Sequence, residues 1–171
     1  MKTIKSIALF ALALTLVNCG EGEKKQEKEQ VKLGTSTPEA DSSAEETSQN
    51  EVLLLATDQM RFDKNEIRVK AGEKVTLTLR HTGKQPVEVM GHNFVLLAQG
   101  TDIPTFAGSA ASARDNDYIP EGTDAVIVHT KLLGGGQEDT IEFDAPEPGT
   151  YDFICSFPGH YSLMKGKFIV E

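Results

Sequence analysis

The sequence predicts an all-β domain, an eight-stranded Greek-key sandwich or barrel with one short helical insertion. Eight short β-prone runs recur between residues 52 and 170, and turn residues separate most of them. The chain is 171 residues long and 39% hydrophobic, enough apolar material for one ordinary core. Short strands at this spacing favour antiparallel pairing in a sandwich or barrel.

The runs are Val52–Leu55, Glu66–Lys70, Lys74–Arg80, Asn93–Leu97, Ala125–His129, Asp139–Phe143, Tyr151–Ile154 and Gly166–Val170. The second and third alternate cleanly between apolar and polar residues, as half-buried strands do. Lys70-Ala-Gly72, Thr82-Gly83, Gly134-Gly-Gly136, Pro146-Glu-Pro-Gly149 and Phe157-Pro-Gly159 supply the turns. Residues 98–124 are too long for a hairpin loop. Their Ala- and Ser-rich centre, Ala107 to Arg114, predicts a short helix outside the sheet. No internal repeat is visible.

Two further segments precede this domain. Met1 to Lys5 is basic and leads into an apolar run, Ile7 to Val17, too short to span a bilayer as a helix. Residues 1–18 therefore read as an export signal. The run ends in Leu16-Val17-Asn18-Cys19, which resembles the lipobox of bacterial lipoproteins and implies that Cys19 becomes a lipidated N-terminus. Residues 19–50 are rich in Glu, Lys, Gln, Ser and Thr, with Val31 and Leu33 as the only sizeable apolar residues. Such a segment cannot offset the entropy of ordering, so a disordered acidic linker is expected. Its 31 residues after Cys19 would reach roughly 30 Å, enough to hold a domain clear of a membrane surface.

Charge and cysteine content exclude several functions. The net charge is −9, with no basic run longer than Lys24-Lys25, which disfavours nucleic acid as a partner. Two cysteines cannot build a disulfide-dense scaffold. No Ser-His-Asp order, paired-carboxylate motif or phosphate loop is evident, so no enzyme activity is expected.

The chemistry is concentrated in Cys155-Ser-Phe-Pro-Gly-His160-Tyr-Ser-Leu-Met164, where a thiol, an imidazole and a thioether lie within ten residues. A second imidazole, His92, stands some sixty residues earlier. Two His, one Cys and a weak Met form the trigonal-plus-axial donor set of blue-copper electron-transfer sites. Thiolate and thioether suit Cu(I), and imidazole also suits Cu(II). A site acceptable to both states changes little when the electron moves.

At these residues the chain resembles the azurins of the cupredoxin family. The matching features are Asp58-Gln-Met60, Met90-Gly-His-Asn93, His129-Thr-Lys131, Phe157-Pro-Gly-His160 and Leu163-Met-Lys-Gly166, and the likeness covers 51–171. The Cys-x4-His-x3-Met spacing is the azurin loop length. The resemblance implies His92, Cys155 and His160 as equatorial copper ligands, Met164 as a long axial one, and the Gly91 carbonyl as a second weak axial contact. It implies that Asn93 ties the two ligand loops together and that the N–H groups of Asn93 and Phe157 bond the Cys155 sulfur. It also implies an apolar docking patch around an exposed His160, made of Met60, Val89, Met90, Phe157, Pro158, Gly159 and Leu163. Implied partners are redox proteins, c-type cytochromes or a terminal reductase or oxidase, for a monomer tethered in the periplasm.

Departures from the family pattern are specific. Asn50 and Glu73 stand where azurins carry a disulfide, and Phe94 replaces a buried tryptophan. Gln85, Glu88 and Tyr161 make the rim of the patch more polar. His81 aligns with a histidine near the site and is expected to be structural and partly buried. His129 is expected on the surface. Four histidines are too few for a multicopper enzyme, and a binuclear copper centre needs a second loop cysteine. A copper-buffering or copper-delivering protein is the alternative function. A structural zinc site is a third reading, in which Met164 would add little.

Overall fold

In the computed structural model, residues 49–171 are described. The expected signal, Cys19 and all but the last two residues of the linker lie outside the described residues. Two sheets pack face to face. The first has strand order β2-β1-β4-β7, built from β1 (Glu51–Thr57), β2 (Arg61–Phe62), β4 (Lys74–His81) and β7 (Glu138–Asp144). The second has order β3-β9-β8-β5-β6, from β3 (Glu66–Val69), β9 (Lys165–Val170), β8 (Gly149–Ile154), β5 (Val95–Leu97) and β6 (Val126–His129).

The sandwich predicted from the sequence is present, with all eight expected strands and a ninth, the two-residue β2. Pairing is mixed rather than wholly antiparallel. β1 runs parallel to β4, and β3 runs parallel to β9. Strand order is a tertiary property that local alternation does not encode. The parallel register Ala56↔His81 carries the end of β1 to the end of β4, beside the functional site.

Alternation sets the core. Along β4, Val75, Leu77, Leu79 and His81 point inward and are fully buried. Val75, Leu77 and Leu79 form one core cluster with Leu54 of the neighbouring β1 and with Phe94, Leu96, Phe153 and Phe168 from the other side of the sandwich. Phe94 stands 5.4 Å from Phe153 and 6.5 Å from Phe168 between ring centroids, so phenylalanine occupies the position expected from the departure above. Each such side chain contributes about 1.5–3 kcal/mol of hydrophobic burial.

Two short helices flank the sandwich. α1 (Val87–Met90) is not among the elements the sequence predicts, because four residues are too few to show a helical period. α2 spans Ile103–Ala110, earlier than the expected Ala107–Arg114. Asp102 caps it by accepting from the Thr105 N–H at 3.0 Å, and Pro104 supplies a preset φ in the first turn. Phe106 and Ala110 of α2 pack with Val95, Leu97, Ile119 and Ile154 as a second cluster on the five-stranded sheet.

Where a disulfide was expected to be missing, Asn50 is 2% exposed and hydrogen-bonded. Its side chain accepts from the Lys70 N–H at 2.7 Å and donates to the Lys70 carbonyl at 3.1 Å. Two hydrogen bonds thus join the start of β1 to the end of β3.

Candidate metal centre

The site forms where a hairpin and a crossing segment meet. β8 and β9 pair antiparallel with Ile154 opposite Lys165, so the residues just beyond each strand, Cys155 and Met164, face one another. The Cys155 N–H donates to the Met164 carbonyl at 3.0 Å and closes the base of the loop. Inside the loop, a 3-10 turn over His160–Ser162 brings the His160 carbonyl within 2.8 Å of the Met164 N–H. β5 pairs with β8 through Val95↔Ile154, and this places His92, three residues before β5, alongside Cys155.

Three donor atoms converge. Cys155 Sγ lies 3.9 Å from His92 Nδ1 and 3.7 Å from His160 Nδ1, and the two nitrogens are 3.2 Å apart. A triangle with these sides has a circumscribed radius of about 2.1 Å, which falls in the range of about 2.0–2.3 Å that Zn²⁺, a neighbouring ion, keeps from imidazole nitrogen and thiolate sulfur. The donors therefore fit one first-row metal ion. Cys155, His92 and Met164 are fully buried, and His160 is 4% exposed.

His160 is consequently more enclosed than the exposed residue expected from the sequence. The Phe157 ring lies 4.6 Å from it, centroid to centroid, and Tyr118 meets Phe157 edge-on at 5.2 Å. These rings shut water from the loop while leaving His160 the least covered of the three donors.

Neighbouring groups fix each ligand. His92 Nε2–H donates to the Thr57 carbonyl at 2.9 Å, which leaves the Nδ1 lone pair for the site. A two-way backbone bridge to Leu133 holds the main chain of His92. Asn93 Oδ1 accepts from the Ser156 N–H at 2.9 Å, while Nδ2 donates to Ser156 Oγ and to the Asp117 carbonyl, each at 2.8 Å. Gly91 leaves no room for a side chain, since a Cβ would stand 2.6 Å from the Val87 carbonyl and 2.9 Å from Phe157. Its carbonyl oxygen is 3.9 Å from Cys155 Sγ.

Electrostatics follow from burial. Desolvation pushes the Cys155 thiol up to about 12, against the N–H groups of Asn93 and Phe157 that bond the sulfur. Desolvation also lowers both His92 and His160 to about 4. Without metal, the ligand cluster is thus a neutral thiol and two neutral imidazoles. A cation at the centre favours the thiolate, which the two N–H groups then stabilise.

Asp58 and Thr57 carry roles that the sequence did not announce. Asp58 accepts from the Lys84 N–H at 2.8 Å and the Gln85 N–H at 3.3 Å, and so clasps the segment leading to α1 and Gly91. These bonds, the one from Lys84 foremost, hold its carboxyl below the usual range. A Cβ at Gly83 would collide with the Asp58 carboxylate, so any side chain there displaces the clasp. The Thr57 contribution is a main-chain carbonyl, invisible in residue type. Ser156 could have been noted from its place beside Cys155.

His81 is fully buried rather than partly so, and neither ring nitrogen has a hydrogen-bond partner among the described residues. Its ring lies 4.5 Å from that of His92, and Asp58 Oδ1 is 3.6 Å from its Nε2. Burial lowers its pKa. His129 is half-buried, bonds the Thr130 carbonyl at 3.0 Å and stays outside the donor cluster. Of the patch residues, Val89 is 58% exposed and Leu163 53%. Pro158 and Gly159 are exposed too, and Met60, Met90 and Phe157 are half-buried.

A β-sandwich that buries Cys, His and His at one end, with Met164 closing the same loop, defines a blue copper protein with a type 1 site and the cupredoxin fold. Residues 50–171 match the copper binding proteins of the plastocyanin/azurin family, and the chain belongs to that family. It is 44% identical to an azurin of Bordetella pertussis over 117 residues, covering 66% of this chain and 78% of that one. It is 42% identical to the outer membrane protein H.8 of Neisseria gonorrhoeae over 115 residues, covering 66% of this chain and 62% of that protein. Among solved structures it is similar to the reduced auracyanin of Roseiflexus castenholzii, at TM-score 0.66 and 32% identity, covering 72% of this chain and 98% of that one. An azurin of Methylomonas sp. strain J gives TM-score 0.65 and 32% identity, covering 71% and 97%. Like azurins, this protein is an electron carrier and not an enzyme.

Proposed function

We propose that this protein passes single electrons between redox proteins in the periplasm while a lipid on Cys19 tethers it to a bacterial membrane. The observation that carries the electron-transfer reading is the donor triangle, already closed to single-ion size in a water-excluding pocket. Bound copper supplies the one-electron couple. The residues supply a cage that fits both oxidation states: His92 is locked by Thr57, and Cys155 and His160 by the loop that Asn93 ties down. Met164 and the Gly91 carbonyl would supply further, weaker donors to the bound ion. The N–H groups of Asn93 and Phe157 tune the potential through the sulfur.

Exchange takes place across the apolar face formed by Met60, Val89, Met90, Phe157, Pro158, Gly159 and Leu163. Leu163 is bonded to the His160 carbonyl through its N–H at 3.0 Å, so a partner seated there lies close to the least covered ligand. Small, weak interfaces suit redox encounters. The partners are c-type cytochromes or a terminal reductase or oxidase, met by a monomer. Burial of all three donors opposes the copper-delivery alternative, because hand-off of an ion needs exposed ligands.

The purified protein with Cu(II) should show an intense blue thiolate-to-copper band and reversible one-electron reduction. Cys155→Ser should abolish the band, and a colourless wild-type complex overturns the reading. The anchor is supported by the lipobox-like Leu16 to Cys19 segment, the expected acidic linker through residue 50 ahead of a copper domain at 51–171, and likeness to an outer membrane protein. Cys19→Ala should shift the protein from the membrane to the soluble fraction. Continued membrane association of that variant contradicts the tether.

A further inference from the structure

We propose that the cleft beside the metal loop, between Arg61 and Lys165, seats carboxylates on the rim of an acidic redox partner. This rests on the electron-transfer reading and names the chemistry of the partner. The cleft has a volume of about 440 Å³ and is bounded by Arg61, Asp63, Lys64, Leu163 and Lys165 among others. Leu163, on its edge, belongs to the loop that holds His160 and Met164.

Charge is distributed unevenly here. Residues 51–171 hold 18 acids and 11 bases, so the domain carries −7. Six of those bases, Lys64 among them, have a carboxylate within 3.9 Å. Lys64 engages Asp63 at 2.8 Å, which neutralises the acid of the cleft. Arg61 and Lys165 are exposed and have no ion-pair partner among the described residues. In an acidic domain, two unpaired cations therefore border one cleft at the edge of the exposed apolar face.

The occupant follows from screening. A small anion between two solvent-exposed cations gains little, because water and salt screen the pairs. A partner that also covers Leu163, 53% exposed, removes that water and strengthens both pairs. Arg61 can grip one carboxylate with two parallel N–H bonds, and Lys165 can hold a second as a point charge. Two charges beside an apolar contact fix orientation more than affinity, which suits a fast exchange.

The test uses the full-length reduced copper protein, isotope-labelled and followed by NMR, with poly-L-glutamate as the acidic probe. Inorganic phosphate at equal charge concentration is the second arm. Polyglutamate should shift the signals of Arg61, Leu163 and Lys165, and a double variant, Arg61→Gln with Lys165→Gln, should bind at least fivefold more weakly. No shift, shifts spread evenly over all lysines, or equal shifts with phosphate overturn the proposal. A blue, redox-active protein that ignores polyglutamate sinks this inference alone. A colourless protein that still binds polyglutamate sinks the electron-transfer reading instead.

Discussion

Burial governs the ionisation of the individual ligands, and the consequence is measurable in the metal-free protein. His92 and His160 fall from 6.5 to about 4 in the folded state. Between those values the unfolded chain binds protons that the folded chain refuses, so stability rises with pH through this window. It is fully present above 6.5 and is lost as pH drops toward 4. The urea midpoint of the metal-free protein should be lower at pH 4.5 than at pH 7.5. Replacing both histidines by Gln should flatten that difference, and an unchanged wild-type midpoint contradicts the desolvation account. At this scale the ligand types were legible before folding, since Cys155, His160 and Met164 fall within ten residues. The Thr57 carbonyl and the Asp58 clasp were not, because a main-chain acceptor has no residue signature and an aspartate in a turn is usually solvated.

Elements place these residues. The β8–β9 hairpin sets Cys155 opposite Met164, and the β5–β8 pairing imports His92. The parallel β1–β4 ladder then brings Thr57 under the His92 ring and His81 beside it. At the other end of β1, Asn50 bonds both backbone groups of Lys70. Asn50→Ala removes two part-buried hydrogen bonds to the Lys70 backbone and should cost about 1–2 kcal/mol in chemical unfolding. The blue band should stay unchanged, because Asn50 and Thr57 are separated by β1, which spans about 20 Å at 3.3 Å per residue. A changed spectrum would show that the two ends of the strand are coupled. Eight strands could be read from alternation and turn residues. β2 and α1 could not, because two and four residues are shorter than any periodicity.

The whole molecule couples metal to fold. A donor set assembled from the 91–93 segment and the 155–164 loop does not exist in the unfolded chain, so copper binds the native state and stabilises it. At an ion concentration 1,000 times Kd the gain is about 4 kcal/mol. For a domain of this size the melting temperature should rise on the order of 10–20 °C with copper and fall back on chelation. Calorimetry with and without a chelator checks this, and equal transitions contradict the coupling. The acidic balance also acts at this scale. It repels anions at long range, so any acidic partner is held by the local cations beside Leu163 and not by the global field.

By itself, the sequence determined the strands, the turns and the residue types that can hold copper. These depend on side-chain alternation and on spacing within about ten residues, which short-range sterics and burial enforce. Only the tertiary structure decided that His92 meets Cys155, that β1 lies parallel to β4, and that Arg61 shares a cleft with Lys165. Those contacts join residues from 25 to more than 100 positions apart. The packing of the two sheets selects them, through the burial of one continuous core, and no local pattern specifies which edges meet.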